Sequence, residues 1–336
     1  MLYKTSEQEN ISLTQANEYL SKLVAYASDQ THLAVEKAAK IIGVKLCVLP
    51  SDADFKLVEP IIQEAIVKDR ADKLYPFFVC GTFGTTNTTA IDDLPGLANI
   101  AEAEDVWLHV DAAYARASLA YPEFRALAQG IERAQSISFS TNKWMLIHFG
   151  CSPLWVADST YLIKALQVTH AYVSQNEVYQ EGTKSDIKSV RNMRNWQTQL
   201  TRPFLALRVW CVLRMHGATG IRANIRTKVE LAQWLDKKLR DDGRFEFIAP
   251  VVFGLVVFRV CPESLDYCLQ SDVNRATMLL LQRIQADGQI FLTGTKVKGC
   301  SVIRVAIGST FVEQDNIEAL YQAIVQAAAS IGIFSN

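Results

Sequence analysis

No run of about 20 apolar residues occurs anywhere in the 336-residue chain, so no segment reads as a membrane-spanning helix. An excess of either charge is also lacking. Lys and Arg total 34 against 35 for Asp and Glu, for a net charge of -1. Without a basic run there is no electrostatic case for nucleic acid or an anionic membrane as partner. The N-terminal stretch MLYKTSEQENISLTQ has no apolar core of the kind a secretory signal needs. The cysteines (Cys47, Cys80, Cys151, Cys211, Cys261, Cys268 and Cys300) are odd in number, and none forms a Cys-x-x-Cys pair. Several sit inside apolar runs, so they read as reduced, buried small hydrophobes, and the expected location is cytoplasmic. The histidines (His32, His109, His148, His170, His216) are scattered without metal-ligand spacing, so no metal is expected. Repeats and low-complexity tracts are absent as well.

What remains is a chain that is 49% hydrophobic, enough for a large core, and long enough for one big domain and a smaller one. Helical periodicity predicts helices over 13–27 and 32–42, then a short buried strand over 44–49. Leu57, Ile61, Ile62 and Ile66 predict an amphipathic helix over 54–68. Apolar runs at 75–80, 106–110, 136–140 and 153–157 predict strands, with a helix over 94–102 between two of them. Short apolar runs alternating with helices argue for a buried, mostly parallel sheet. Residues 175–195 are polar and read as a mobile surface loop. Residues 204–234 read as long helices broken at Gly217 and Gly220. Two or three strands are expected over 245–260, a helix over 278–286, a strand over 301–307 and a terminal helix over 314–329. The boundary falls near residue 205: a large domain over 1–205, then connecting helices and a small C-terminal α/β domain over 206–336.

In parallel sheets, ligands bind on the loops beyond the carboxyl ends of strands. Thr85–Thr86, Asp111 and Lys143 each lie just past an apolar run. Most lysines are solvated surface groups, but Lys143 is followed by Trp144, Met145, Leu146 and Ile147, which burial should claim. A lysine there has a depressed pKa or a covalent partner, and a Schiff-base role is one of the few uses that fits. Asp111 ends Val-Trp-Leu-His-Val-Asp-Ala-Ala-Tyr (106–114), and a carboxylate at the end of a core strand is costly unless a cation faces it. It reads either as a helix cap or structural ion pair, or as the partner of a protonated pyridine nitrogen. Ala112 and Ala113 are small enough for a flat ring to lie against them. Gly84-Thr85-Thr86 and His32 are weak signals taken singly.

Taken together, Ser28-Asp29-Gln30-Thr31-His32, Gly84-Thr85-Thr86, His109-Val110-Asp111-Ala112-Ala113-Tyr114 and Asn142-Lys143-Trp144 stand in the order found in the group II pyridoxal-phosphate decarboxylases. The chain resembles that family, and within it the aromatic-L-amino-acid decarboxylases, from about Leu13 onward. The resemblance implies an aspartate-aminotransferase-like α/β fold, usually homodimeric, and pyridoxal 5'-phosphate as cofactor. It implies decarboxylation of an L-amino acid, with aromatic substrates favoured, to an amine and CO2. Lys143 would bind the cofactor covalently, Asp111 would pair with its ring nitrogen, and His32 would stack on the ring and help position the substrate carboxylate. Thr86 and Ala113 would line the pocket, and Tyr172 would return a proton to the substrate carbon.

Two departures from the family pattern stand out. Relatives usually read Asn-Pro-His before the lysine; this chain has Ser140-Thr141-Asn142, in which Ser140 and Asn142 can still donate hydrogen bonds to a phosphate. Relatives also carry a long region before the Leu13 helix, including a phosphate-cradling loop of small residues. The resemblance therefore implies a large domain that is partial at its N-terminus. It leaves two further readings beside the decarboxylase: an aromatic-acetaldehyde synthase, whose members typically lose the loop tyrosine or the stacking histidine, and a non-catalytic or fragmentary paralogue that dimerises with a full-length relative.

Overall fold

The computed structural model describes residues 13–166, 193–261, 263 and 269–332. The N-terminal half of the described chain alternates α1 (Leu13–Lys22), β1 (Leu23–Ser28), α2 (Leu33–Ile42), β2 (Lys45–Leu49), α3 (Glu59–Ala71), β3 (Tyr75–Thr82), α4 (Leu94–Ala103) and β4 (Trp107–Asp111). Three 3-10 turns lead to β5 (Ser136–Ser138), the short α5 (Thr141–Trp144), β6 (Leu154–Val156) and α6 (Ser159–Leu166). Strands β1 to β6 form one sheet in the order β2-β1-β3-β4-β5-β6. Every neighbouring pair is parallel except β5 with β6. The expected mostly parallel sheet flanked by helices is thus present, with one antiparallel edge strand.

Several sequence expectations need correction. The helix predicted over 13–27 stops at Lys22, and Leu23–Ser28 is a strand buried at all six positions between β2 and β3. A short run that is apolar throughout does not distinguish strand from helix, and pairing on both edges decided it. The strand over 44–49 forms, but at the sheet edge, with Val48 55% exposed rather than buried. The helix predicted from residue 54 begins only at Glu59. Asp52 Oδ1 instead accepts the amides of Asp54 and Lys56 (both 2.9 Å) in a tight turn, and Pro60 occupies the first helical turn. The cysteines among the described residues are free, as expected, but of these only Cys80 and Cys151 are buried, and Cys211 is exposed; Cys268 lies outside the described residues.

Helix α7 (Leu205–Asp242) carries the chain into the second unit. Gly217 breaks it with φ 61 and ψ 179, within the interruption expected at Gly217 and Gly220. The remaining elements are β7 (Phe245–Phe247), β8 (Leu255–Val260), α8 (Gln270–Gln285), β9 (Thr293–Val297), β10 (Cys300–Ala306) and α9 (Gln314–Ser330). They build an antiparallel sheet in the order β7-β8-β10-β9. Strand β9, three of whose five residues are exposed, had no apolar pattern to betray it, and α8 starts eight residues before the expected 278.

Two cores result. Tyr26, Ile62, Ile66, Phe83, Leu97 and Leu108 belong to the first, and Leu235, Phe258, Leu280, Ile303 and Ile324 to the second. Helix α7 contributes to both, with Ile221, Ile225 and Val229 in the first and Leu231, Leu235 and Leu239 in the second. Leu255, Val257, Val297 and Val302 form a third cluster against Phe55 and Tyr114, which seats the small sheet on the large one. Apolar side chains stay exposed on α2 (Leu33, Ile41, Ile42) and on the first half of α7 (Leu207, Trp210, Leu213, Met215). Among the described residues no helix is long and apolar enough to cross a membrane.

Candidate active site

The carboxyl ends of β1, β3, β4 and β5 open onto one cavity of about 350 Å³. His32, Thr86, Asp111, Ala113, Ser140 and Lys143 all line it, together with Thr82 and Ser138. The topology gathers them: each follows a parallel strand, so its loop emerges on the same edge of the sheet.

His32 is placed by a turn the sequence writes out. Ser28 N–H donates to Thr31 Oγ1 (3.0 Å), Gln30 N–H to Ser28 Oγ (3.0 Å) and Ser51 N–H to Asp29 Oδ1 (3.2 Å). The imidazole then caps α2, its Nδ1 accepting from Ala34 N–H at 3.2 Å. A neutral His32 ring therefore carries its proton on Nε2. After β3 the chain turns at Gly84, with φ +90; a Cβ there would stand 2.6 Å from Ala115 Cβ, so only glycine fits. Thr85 Oγ1 is tied to Thr88 Oγ1 (3.0 Å) and to Ala90 N–H (3.1 Å), which fixes the loop that presents Thr86.

Asp111 closes β4. Its Oδ1 accepts from Ala113 N–H at 2.9 Å, and its backbone oxygen accepts from Phe83 N–H at 2.9 Å. Lys143 sits on α5, held by Thr141, whose hydroxyl donates to Cys151 O at 2.7 Å. Trp144, 3% exposed, packs edge-on against Tyr114 (5.1 Å) and Phe253 (6.2 Å). Burial pushes the Lys143 amine below the ordinary lysine range; the positive Arg304 pushes the same way, and the Asp111 carboxylate partly opposes both. The Asp111 carboxylate and the Lys143 amine thus act on each other electrostatically across the cavity that both line.

A second cavity of about 270 Å³ shares Lys143, Thr86 and Tyr114 with the first and is closed by Leu255, Arg304 and Ile307 from the small sheet. Arg304 was not singled out in the sequence, although a charge inside the apolar run Val302–Ile307 is a usable signal. Its Nη1 reaches Thr293 Oγ1 at 3.4 Å, while its buried Nε has no partner, and burial lowers its pKa. In the first cavity the buried Thr82 Oγ1 likewise has no partner. Unpartnered buried polar atoms are rare and costly, and both belong to residues that line the cavities, Thr82 the first and Arg304 the second.

Asn142 is half-buried and lines neither cavity, since consecutive helical residues point about 100° apart and Lys143 takes the inward direction. Tyr172 lies outside the described residues.

A family model described as the pyridoxal-dependent decarboxylase conserved domain matches residues 3–261. An aromatic-L-amino-acid decarboxylase of Cavia porcellus is 39% identical over 319 residues, covering 95% of this chain and 63% of the relative. The structure of Oryza sativa TDC with PLP and tryptamine superposes with a TM-score of 0.89 at 30% identity, over 98% of this chain and 66% of that one. The Rhodiola rosea 4-hydroxyphenylacetaldehyde synthase superposes with a TM-score of 0.84 at 31% identity, over 94% of this chain and 64% of that one. The chain thus spans less than two thirds of the length of each of these three proteins.

Proposed function

The chain belongs to the pyridoxal-dependent decarboxylase family, and from that premise we propose that it binds pyridoxal 5'-phosphate on Lys143 and removes CO2 from an L-amino acid, aromatic substrates favoured, to leave the amine. The observation that carries this reading is Lys143 itself, an amine of depressed pKa facing Asp111 across a cavity that His32, Ala113 and Thr86 also line. The residues present suit the cofactor. The amine is nucleophilic enough to condense with an aldehyde, and the small Ala113 in the cavity wall leaves room for a flat ring.

Bound pyridoxal phosphate supplies a sink for the electron pair left behind when the carboxylate departs. Asp111 would pair with the ring nitrogen and keep a proton on it, which would make that sink effective. His32, which lines the cavity, would stack on the cofactor and help position the substrate carboxylate with its Nε2–H. Ser140 would donate a hydrogen bond to the phosphate, Thr86 and Ala113 would wall the pocket, and Asn142, which lines neither cavity, is left out of the phosphate contacts. Arg304 offers its unpartnered Nε–H to the substrate carboxylate before CO2 leaves. Tyr172 returns a proton to the α-carbon, an assignment that rests on resemblance alone. Lys143 would be the residue that holds the cofactor covalently when no substrate is bound.

The assembly we propose is a homodimer, whose interface would cover the exposed apolar faces of α2 and α7. The domain boundary near residue 205 and the cytoplasmic location, the latter resting on the free cysteines, belong to the same reading.

The test is to add pyridoxal phosphate to the purified chain, record visible absorbance before and after borohydride, and map the modified peptide. A coloured adduct fixed on Lys143, followed by amine release from dopa, tyrosine, tryptophan or histidine, supports the proposal. A folded chain with no adduct overturns it in favour of a non-catalytic paralogue. The Rhodiola rosea neighbour motivates one competing reading: an aldehyde product in place of an amine would favour a synthase, and retention of both His32 and Tyr172 argues for the amine.

A further inference from the structure

His109 takes no part in the scheme above, yet it shares one face of β4 with Trp107 and Asp111, since alternate strand residues point the same way. Its ring stacks on Phe78 with centroids 6.0 Å apart and 19° between planes. Nδ1 is 2.8 Å from Ser136 Oγ, and Nε2 is 3.1 Å from Ser138 Oγ. Ser136 Oγ also accepts the indole N–H of Trp107 at 2.8 Å. Burial holds the imidazole neutral by lowering its pKa, against a smaller opposing pull from Asp111.

These contacts fix the direction of every hydrogen bond in the chain. An indole N–H only donates, and a hydroxyl has one hydrogen to give. Ser136 is buried, and among the described residues the one acceptor hydrogen-bonded to its hydroxyl is His109 Nδ1. The neutral ring then carries its proton on Nε2, which donates to Ser138 Oγ. Ser138 is thereby an acceptor toward the histidine, and its own hydrogen is free. Ser138 lines the 350 Å³ cavity and is the register partner of Asp111 across the parallel β4–β5 pair.

We propose that His109 is a positioning residue: its Nε2–H holds the Ser138 hydroxyl as a hydrogen-bond donor into the cofactor cavity, on the Asp111 side. With Asp111 Oδ1 already taken by Ala113 N–H, that hydroxyl serves the acceptors that remain, the bound cofactor and the carboxylate paired with it. In the opposite tautomer Ser138 would spend its hydrogen on Nε2 and present only lone pairs to an already anionic carboxylate. The inference rests on the cofactor reading for its consequence and on geometry alone for its direction, so two measurements test it.

Nitrogen-15 NMR of histidine-labelled protein, without any cofactor, reads the tautomer. His109 is expected as the neutral Nε2–H form, and an Nδ1–H ring overturns the proposal whether or not cofactor binds. Titration with pyridoxal phosphate reads the consequence. Ser138→Ala is expected to raise Kd about ten-fold, the equivalent of one hydrogen bond of about 1.4 kcal/mol, in a chain that still folds cooperatively. His109→Phe should raise Kd similarly, and the double variant should bind no more weakly than Ser138→Ala alone. Should His109→Phe fold poorly, Ser138→Ala and His109→Gln, which retains a side-chain N–H, decide the matter. Undiminished affinity in folded Ser138→Ala, or additive losses in the double variant, would refute it. If the parent chain itself binds no pyridoxal phosphate, the cofactor reading fails, and the NMR result alone settles the direction of the chain.

Discussion

Replacing Asp92 with asparagine tests the electrostatics of the loop that supports the cavity floor. Asp92 is 3% exposed, and its carboxylate accepts Leu57 N–H at 2.8 Å and Thr82 N–H at 2.6 Å, with no cation among the described residues hydrogen-bonded to it. Burial raises its pKa from the ordinary 3.8 to about 7, the two amide hydrogen bonds pull it down, and the charges of Asp52 and Asp29 add to the rise. The folded pKa lies above the unfolded one, so the stabilising contribution is complete below pH 4 and is lost as pH rises through 7. At about 1.4 kcal/mol per unit the total loss is about 4 kcal/mol, of which about 2.7 kcal/mol falls between pH 5 and pH 8. Asparagine does not titrate, and its amide can accept only one of the two N–H groups. Asp92→Asn is therefore expected to be less stable than the parent at pH 5, by about 1–3 kcal/mol for the amide left unpaired. By pH 8 it should have drawn level or pulled ahead. Urea unfolding at pH 5, 6, 7 and 8 measures the difference. If the variant declines with pH as steeply as the parent, the carboxylate is not the source of the slope and the reasoning fails.

Gly84→Ala forces a β-carbon 2.6 Å from Ala115 Cβ in a left-handed backbone; unfolding midpoints should record a loss of about 2–4 kcal/mol. Arg304→Gln removes the cation from the shared cavity, and a loss of about 10- to 100-fold in kcat/KM for the amino acid is expected, with affinity for pyridoxal phosphate nearly unchanged; equal losses in both would place Arg304 on the cofactor instead. Lys143→Arg keeps the charge but cannot form the covalent bond, so the borohydride-fixed adduct should vanish from the peptide map while the fold persists.

The placement of the site was legible because strand ends write themselves as apolar runs. Val106–Val110 ends in Asp111, and the run over 136–140 leads to Lys143; both residues face the cavity. The turn before His32 was legible for a similar reason, since Ser28, Asp29 and Thr31 satisfy the local backbone with their own side chains. Strand β9 was not, because only one of its residues is buried. The exact start of α3 was hidden behind the Asp52 turn, whose hydrogen bonds compete with the first helical turn.

From its sequence alone the protein has its mostly parallel sheet, its family and the identities of Lys143, Asp111 and His32, because period, burial and ordered motifs are properties of a string. Only tertiary structure turned Leu23–Ser28 from helix to strand, since the choice depends on pairing with β2 and β3. Tertiary structure also brought Arg304 to Lys143 from a different sheet and gave His109 two serines that fix its tautomer. A pKa shift, a hydrogen-bond direction and a shared cavity arise from distances between residues far apart in the chain, and no local pattern encodes those distances.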